Sequence, residues 1–147
     1  MKKNKKSKRV FVDLSATLIH HGHIRLLKKS SKFGKVIVGL SKDREIKKFK
    51  GYYPELNYNE RKEIVSSIKY VDQVIPSNFF ISDSFLKNNK IDIIIRGHDH
   101  KNDKFSIKKI IYPRTRGISS SNIRVRASKI LKLKKYKWLN QKNLSNN

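Results

Sequence analysis

The run Arg9-Val10-Phe11-Val12-Asp13-Leu14, followed after five residues by His20-His21-Gly22-His23 and then by Ile24-Arg25-Leu26-Leu27, decides how the chain is read. Val10, Phe11 and Val12 stand in succession instead of alternating with polar residues, which predicts a strand buried on both faces. From Gly22 to Phe33 the pattern changes. Ile24, Leu26 and Leu27 fall on one side with Lys28, Lys29 and Lys32 on the other, as an amphipathic helix requires. A buried strand that turns through a histidine-rich, glycine-containing loop into a helix is the first unit of an α/β protein.

Outward from that unit the same alternation repeats. Lys35 to Leu40, Gln73 to Ile75, Ile91 to Ile95 and Lys108 to Tyr112 predict four more strands, each expected to be buried on both faces. Asn57-Tyr58-Asn59-Glu60 predicts a capping box that opens a helix through Ile64, Val65 and Ile68. Asp83 to Asn88 predicts a shorter helix, and Ser119 to Leu131 a last one opened by the serine cluster. This rhythm predicts an α/β fold, a Rossmann-like doubly wound parallel five-stranded sheet with helices on both faces. The domain is expected over 9–131, between a basic N-terminal extension at 1–8 and a basic, polar C-terminal tail at 132–147 that frays from about Tyr136.

A length of 147 residues suits one such domain. Cysteine is absent, which excludes disulfides, thiolate nucleophiles, zinc knuckles and iron–sulfur clusters. With 36 Lys and Arg against 11 Asp and Glu, the formal net charge is +25, and no acidic residue follows Asp103. Such an excess suits an anionic partner. The lysines are scattered, though, few aromatics interleave with them, and Lys, Ile and Asn are abundant together. These features favour a compositional bias over a nucleic-acid footprint, and a nucleic acid is not expected as the partner. Asp13, Ser15 and Thr17 interrupt the apolar run Val10 to Ile19, so it is no secretory core, and no small-residue cleavage site follows. No run approaches the roughly 18 apolar residues of a membrane span. The chain reads as cytoplasmic.

In doubly wound sheets ligands bind beyond the carboxyl ends of the strands. Three loaded stretches fall there: His20-His21-Gly22-His23, Arg96-Gly97-His98-Asp99-His100, and Pro113-Arg114-Thr115-Arg116-Gly117-Ile118-Ser119-Ser120-Ser121. The first two hold all five histidines of the chain. His20 and His23 at a strand-to-helix junction, with Gly22 allowing close backbone approach, suit an anion at the helix N-terminus. Ser119 or Ser120 capping the last helix, with the Arg114 fork beside it, repeats that design. Two anion sites on one edge predict a polyphosphate ligand such as a nucleoside triphosphate. The rival reading is a metal site of His20, His23, His98 and His100. It is disfavoured because no carboxylate stands at the spacing of zinc hydrolases.

Several ordered motifs resemble the cytidylyltransferase-like nucleotidyltransferase family, which includes glycerol-3-phosphate cytidylyltransferase. They are His20-x-Gly22-His23, Val38-Gly39-Leu40-Ser41-x-Asp43, Glu60-Arg61-Lys62-Glu63, Tyr70-Val71-Asp72-x-Val74-Ile75-Pro76 and Arg114-Thr115-x-Gly117-Ile118-Ser119-Ser120. The resemblance runs from about Arg9 to Ala127. The stretch Ser15-Ala16-x-Leu18-Ile19-His20 further resembles the nucleotidyltransferase domains fused to phosphoenolpyruvate mutases. The resemblance implies transfer of CMP from CTP to a small phosphate- or phosphonate-bearing acceptor, with release of pyrophosphate. It implies His20, His23, Lys50 and Arg114 as catalytic residues. It implies Leu14, Ser15, Gly22, Arg96, Gly97, Asp99, Thr115, Gly117, Ile118, Ser119 and Ser120 as nucleotide-binding residues. Magnesium is implied with the nucleotide phosphates, without a protein metal site, and a homodimer follows only by analogy with related enzymes.

The chain departs from the family pattern at two points. Thr17 stands where the family has Asp before the histidine motif, and His98 replaces the first Asp of Gly-Asp-Asp-Trp, with His100 in place of the tryptophan. These changes imply an altered preference or weakened catalysis. Arg96 and His98 are expected to add positive character near the nucleotide. Three alternatives stay open: an ATP-using adenylyltransferase of the same fold, a nucleic-acid-binding module using Lys2 to Arg9 and Arg124 to Lys137, and a catalytically weakened nucleotide-binding relative.

Overall fold

Val10, Phe11 and Val12 form the middle of β1 (Arg9–Leu14), and each is at most 1% exposed. Successive side chains of an extended chain point to opposite faces, so a strand with no polar face needs cover on both. The computed structural model describes residues 7–133. In chain order β1 is followed by α1 (His21–Ser30), β2 (Lys35–Ser41), α2 (Asp43–Lys50), α3 (Tyr58–Ser66) and β3 (Gln73–Ser77). Then come α4 (Asp83–Asn88), β4 (Ile93–Gly97), a 3-10 turn (His98–His100), β5 (Lys108–Tyr112) and α5 (Ser120–Leu131). The five strands are all parallel, in the order β3-β2-β1-β4-β5. This is the predicted Rossmann-like doubly wound sheet, with its switch point between β1 and β4.

The alternation along β1 builds two cores. Val10, Val12 and Leu14 join Leu27 of α1 and Val65 of α3 on one face. Phe11 joins Ile37, Ile94 and Leu86 of α4 on the other. Each large apolar side chain so buried contributes about 1.5–3 kcal/mol. Phe11 needs more room than the sheet offers, and Gly39 supplies it: a Cβ there would stand 2.1 Å from Phe11 Cζ.

Several expectations change, one being that α3 ends at Ser66 and does not run through Ile68. Strands β3 and β5 were read as buried on both faces, but each lies at an edge with one neighbour, and its side chains are mostly half-buried or exposed. Strand β4 begins at Ile93, not Ile91, because Asp92 turns outward and accepts the Arg9 N–H at 2.7 Å. Helix α1 ends at Ser30, whose hydroxyl donates to the Leu26 carbonyl at 2.9 Å, instead of reaching Phe33. Helix α2 was not expected. Its sequence, Asp43-Arg44-Glu45-Ile46-Lys47-Lys48-Phe49-Lys50, places its two apolar residues, Ile46 and Phe49, on one face but is only eight residues long; acidic residues open it and Gly51 closes it at φ 81°. The Asn57 capping box is as predicted, with Asn57 accepting from the Glu60 N–H at 3.1 Å and Glu60 from the Asn57 N–H at 2.7 Å. The basic end clusters outside 7–133 and the tail from Tyr136 lie outside the described residues. Among those described, no helix is long and apolar enough to cross a membrane.

Candidate active site

The junction of β1 and α1 is held by its own histidines. His20 is the N-cap of α1, and its Nδ1 accepts the Gly22 N–H at 3.1 Å. Nδ1 of His23 accepts the His20 N–H at 3.3 Å, so two imidazoles form a capping box. A neutral ring whose Nδ1 accepts must carry its proton on Nε2, so each histidine retains one N–H donor. The ring centroids lie 4.0 Å apart. Position 22 must be glycine for this packing, since a Cβ there would meet the His20 ring at 2.9 Å. Burial, then the neighbouring His20 and Lys50, lowers the His23 pKa to about 4. Burial, then His21, lowers that of His20. At neutral pH His23 is therefore a neutral hydrogen-bond donor.

The start of α5 forms the second part of the site. Ser119 caps the helix by accepting the Asn122 N–H at 3.0 Å, while the Ser120 hydroxyl donates to the Leu18 carbonyl at 3.1 Å and ties α5 to the loop after β1. Arg114 forms an ion pair with Asp99. Lys50, the last residue of α2, makes no ion pair among the described residues. Burial and the nearby Arg124, Arg114 and Arg61 lower its pKa. An anion entering beside Lys50 would relieve that repulsion.

Arg61 holds the floor of the site. It is fully buried and donates to the carbonyls of Leu56 (3.0 Å), Ser15 (2.6 Å) and Ser41 (2.8 Å) and to Asp43 (2.7 Å). One guanidinium thus joins the loop after β1, the end of β2 and the starts of α2 and α3.

These groups border one cavity of about 450 Å³ at the carboxyl edge of the sheet. Of the residues singled out from sequence, Leu14, Ser15, His20, Gly22, His23, Lys50, Gly97, Asp99, Arg114, Thr115, Ile118, Ser119 and Ser120 line it. Arg96 and Gly117 do not. Arg96 is 4% exposed and gripped by both oxygens of Asp13 (3.0 and 2.7 Å) and by Asp103, so its charge is neutralised inside the protein. Gly117 shapes the turn at φ 75° and accepts from Arg126 at 3.0 Å. His98 is exposed and outside the cavity, so the positive character expected from Arg96 and His98 is not delivered there. His20, His23, His98 and His100 do not converge as a metal set, and among the described residues no group of three or more His, Asp or Glu is placed to hold a metal.

Sequence reasoning missed Arg25, Lys29, Tyr52, Phe79 and Arg124, which also line the cavity. The sequence offers Arg124 only within the basic stretch Arg124 to Lys137 of the nucleic-acid-binding alternative. Instead it donates to Thr17 Oγ1 at 2.9 Å and to Glu55 at 2.6 Å, and lies 4.7 Å from the Tyr52 ring centroid. Its spacing of four from Ser120, which puts both on one helix face, was the available signal. Thr17, 1% exposed, therefore receives an arginine where the family pattern has a carboxylate, and Glu55 supplies the negative charge.

Comparison with known proteins agrees with this architecture. Residues 16–126 match the cytidylyltransferase-like family. The chain is 36% identical to glycerol-3-phosphate cytidylyltransferase of Staphylococcus aureus, over 80% of this chain and 92% of that protein. It is also 36% identical to the enzyme of that name from Bacillus subtilis, over 73% of this chain and 87% of the other. A probable ethanolamine-phosphate cytidylyltransferase of Encephalitozoon cuniculi is 31% identical over 69% of this chain, which spans only 32% of that protein. Among solved structures, the lipopolysaccharide core biosynthesis protein of Thermoplasma volcanium superposes with a TM-score of 0.65 at 26% identity, covering 74% of this chain and 98% of the other. A doubly wound sheet with two histidines and a capped serine cluster at its carboxyl edge, matched over most of its length by such relatives, makes this chain a nucleotidyltransferase of the cytidylyltransferase-like family.

Proposed function

We propose that the protein transfers CMP from CTP to a small acceptor bearing a phosphate or phosphonate and releases pyrophosphate. The observation that supports this most is the convergence on one cavity of two imidazole donors, Lys50 crowded by arginines, and the capped start of α5. The relatives named for glycerol-3-phosphate and ethanolamine-phosphate support a phosphate-bearing acceptor.

In this reading an acceptor oxygen attacks the α-phosphorus in line, and the bond from the α-phosphorus to the bridging oxygen of the β-phosphate breaks. An ionised phosphate or phosphonate oxygen needs no base, so positioning and charge stabilisation supply the rate. His20 and His23 donate from Nε2 to oxygens whose charge grows in the transition state. Lys50 neutralises the incoming acceptor or the triphosphate. Ser119, Ser120 and Arg114, the last exchanging Asp99 for a phosphate, hold the leaving pyrophosphate. Asp13 and Asp99 are each engaged by an arginine. Magnesium enters as part of the nucleotide substrate, on its phosphate oxygens. A homodimer, by analogy, and a cytoplasmic setting belong to the same proposal, the former checked by sedimentation.

The test is pyrophosphate release with magnesium and each of the four nucleoside triphosphates, against a panel of small phosphates, phosphonates and phosphosugars, with His23→Ala as control. Release that needs CTP, one acceptor and His23 supports the reading. Release with ATP alone replaces it with adenylyl transfer, and nucleotide binding without turnover points to a weakened relative.

A further inference from the structure

Outside the groups used above, one polar chain reaches the cavity from the interior. His100, on the 3-10 turn after β4, lines the cavity, and its Nδ1 lies 3.2 Å from Asp103 Oδ2. Asp103 is itself fixed by Arg96, and Arg96 by both oxygens of Asp13. A carboxylate only accepts hydrogen bonds, so Nδ1 of His100 is the donor. In the neutral ring Nε2 is then a lone pair at the end of an ordered chain Asp13–Arg96–Asp103–His100. That is the opposite tautomer from His20 and His23, whose Nε2 atoms donate. A cavity built to hold phosphates has no use for a lone pair against an anion. A donor on the ligand suits it.

Which part of the substrate carries that donor follows from the layout of the walls. The phosphate-binding groups stand at the end of β1 and the start of α5. Toward α2 the wall is cationic, with Lys50 and Arg124, and suits an anionic acceptor. Toward β4 and β5 it is made of Gly97, Asp99, His100, Tyr112 and Pro113, where Lys29 stands over the Tyr112 ring and balances the Asp99 carboxylate that Arg114 leaves for a phosphate. The uncharged base fits there, on the side of the switch point where doubly wound sheets take nucleotides. Cytosine and uracil differ in their outward-facing group at C4, an amino donor in one and a carbonyl acceptor in the other.

We propose that His100 is a specificity-determining residue whose Nε2 lone pair accepts the 4-amino group of the cytosine, with Asp103 as its positioning residue. The ring favours CTP and repels the O4 of UTP. This rests on the CMP-transfer reading. It adds a choice between bases that the phosphate-binding groups cannot make.

The experiment is calorimetric titration of CTP and of UTP, each with magnesium, onto the full chain, which needs no knowledge of the acceptor. Wild type is expected to bind CTP up to about tenfold more tightly than UTP, the ratio one hydrogen bond to a neutral donor sets. His100→Phe keeps the ring and removes the lone pair, and the ratio is expected to fall close to one. Asp103→Asn frees the tautomer and lowers the ratio part of the way. If His100→Phe binds CTP and UTP with the wild-type ratio, or weakens both equally, the proposal is overturned while CMP transfer stands. Equal binding of both nucleotides by wild type overturns it as well. Wild type that binds neither nucleotide overturns both readings. Should His100→Phe fail to fold, an unchanged ratio in Asp103→Asn is the overturning result.

Discussion

Gly22 shows how one missing carbon sets the geometry of the catalytic edge. In Gly22→Ala the new Cβ meets the His20 ring at 2.9 Å and forces it off the cap. A displacement of about 1 Å in a positioning group costs on the order of a hundredfold in rate, so kcat/KM for nucleotidyl transfer is expected to fall by about that factor. Urea unfolding should meanwhile report only the lost cap, about 1 kcal/mol. A variant with full activity would separate His20 packing from catalysis. Arg61 is the opposite case, a large group whose loss is felt throughout. In Arg61→Met the Ser15, Ser41 and Leu56 carbonyls and Asp43 lose their donor, which should cost about 3–5 kcal/mol. A shift in urea midpoint corresponding to less than about 1 kcal/mol would show that water replaces the guanidinium. The chemistry of both positions was legible in their motifs, but their environments were not. Arginine is rarely buried, so nothing in Glu60-Arg61-Lys62 announced a side chain with no exposure. Arg96, read as a nucleotide contact, turned inward because Asp13 and Asp103 lie 83 and 7 residues away in sequence but against it in space.

At the scale of elements, the places where sequence succeeded are those where a local rule and a burial pattern agreed. Strand β1, α4 and the Asn57 cap have the predicted bounds because each combines a turn or cap residue with an apolar signature. Helix α2 offered only one pair at helical spacing, Ile46 and Phe49, within eight otherwise charged residues and so went unread, and the edge position of β3 and β5 is a property of the sheet, not of the strands. The end of α4 holds a feature no periodicity reveals. Ile91 N–H reaches the Leu86 carbonyl and Lys90 N–H the Lys87 carbonyl, both at 3.0 Å, and Leu86 and Ile91 share a core. This is a Schellman closure, with Lys90 in the left-handed region at φ 54° where glycine is the usual residue. Lys90→Gly removes the Cβ strain of that conformation and should stabilise the protein by about 0.5–1 kcal/mol, read as a higher urea midpoint with unchanged slope. A lower midpoint would mean that the flexibility glycine adds to the unfolded chain outweighs the relief.

The stability of the whole molecule joins two electrostatic effects that ionic strength can separate. A net charge of +25 opposes compaction, and acidification deepens that repulsion as carboxylates and exposed histidines take up protons. His23 adds a specific effect of the same direction. Its folded pKa is about 4 against an ordinary 6.5. Above pH 6.5 neither state protonates it and it contributes no slope. Between about 6.5 and 4 the unfolded chain binds a proton that the folded one refuses, so stability falls with pH. Below about 4 the loss is complete, at roughly 3 kcal/mol for a shift of that size. His20, lowered in the same direction, adds to the fall. Salt screens the long-range repulsion between exposed lysines, with a Debye length of about 10 Å at 0.1 M, but leaves the cost of charging a buried imidazole nearly unchanged. At about 0.5 M NaCl the urea midpoint of wild type should therefore still drop between pH 7 and 4.5. His23→Asn, whose amide oxygen can accept the His20 N–H in place of Nδ1, should lose most of that drop while showing the same salt response at pH 7. If salt abolishes the wild-type slope, the acid sensitivity belongs to the surface charge and the buried imidazole does not govern it. If the slope survives and the variant flattens it, the arrangement that keeps His23 a neutral donor for a phosphate also sets the acid limit of the fold.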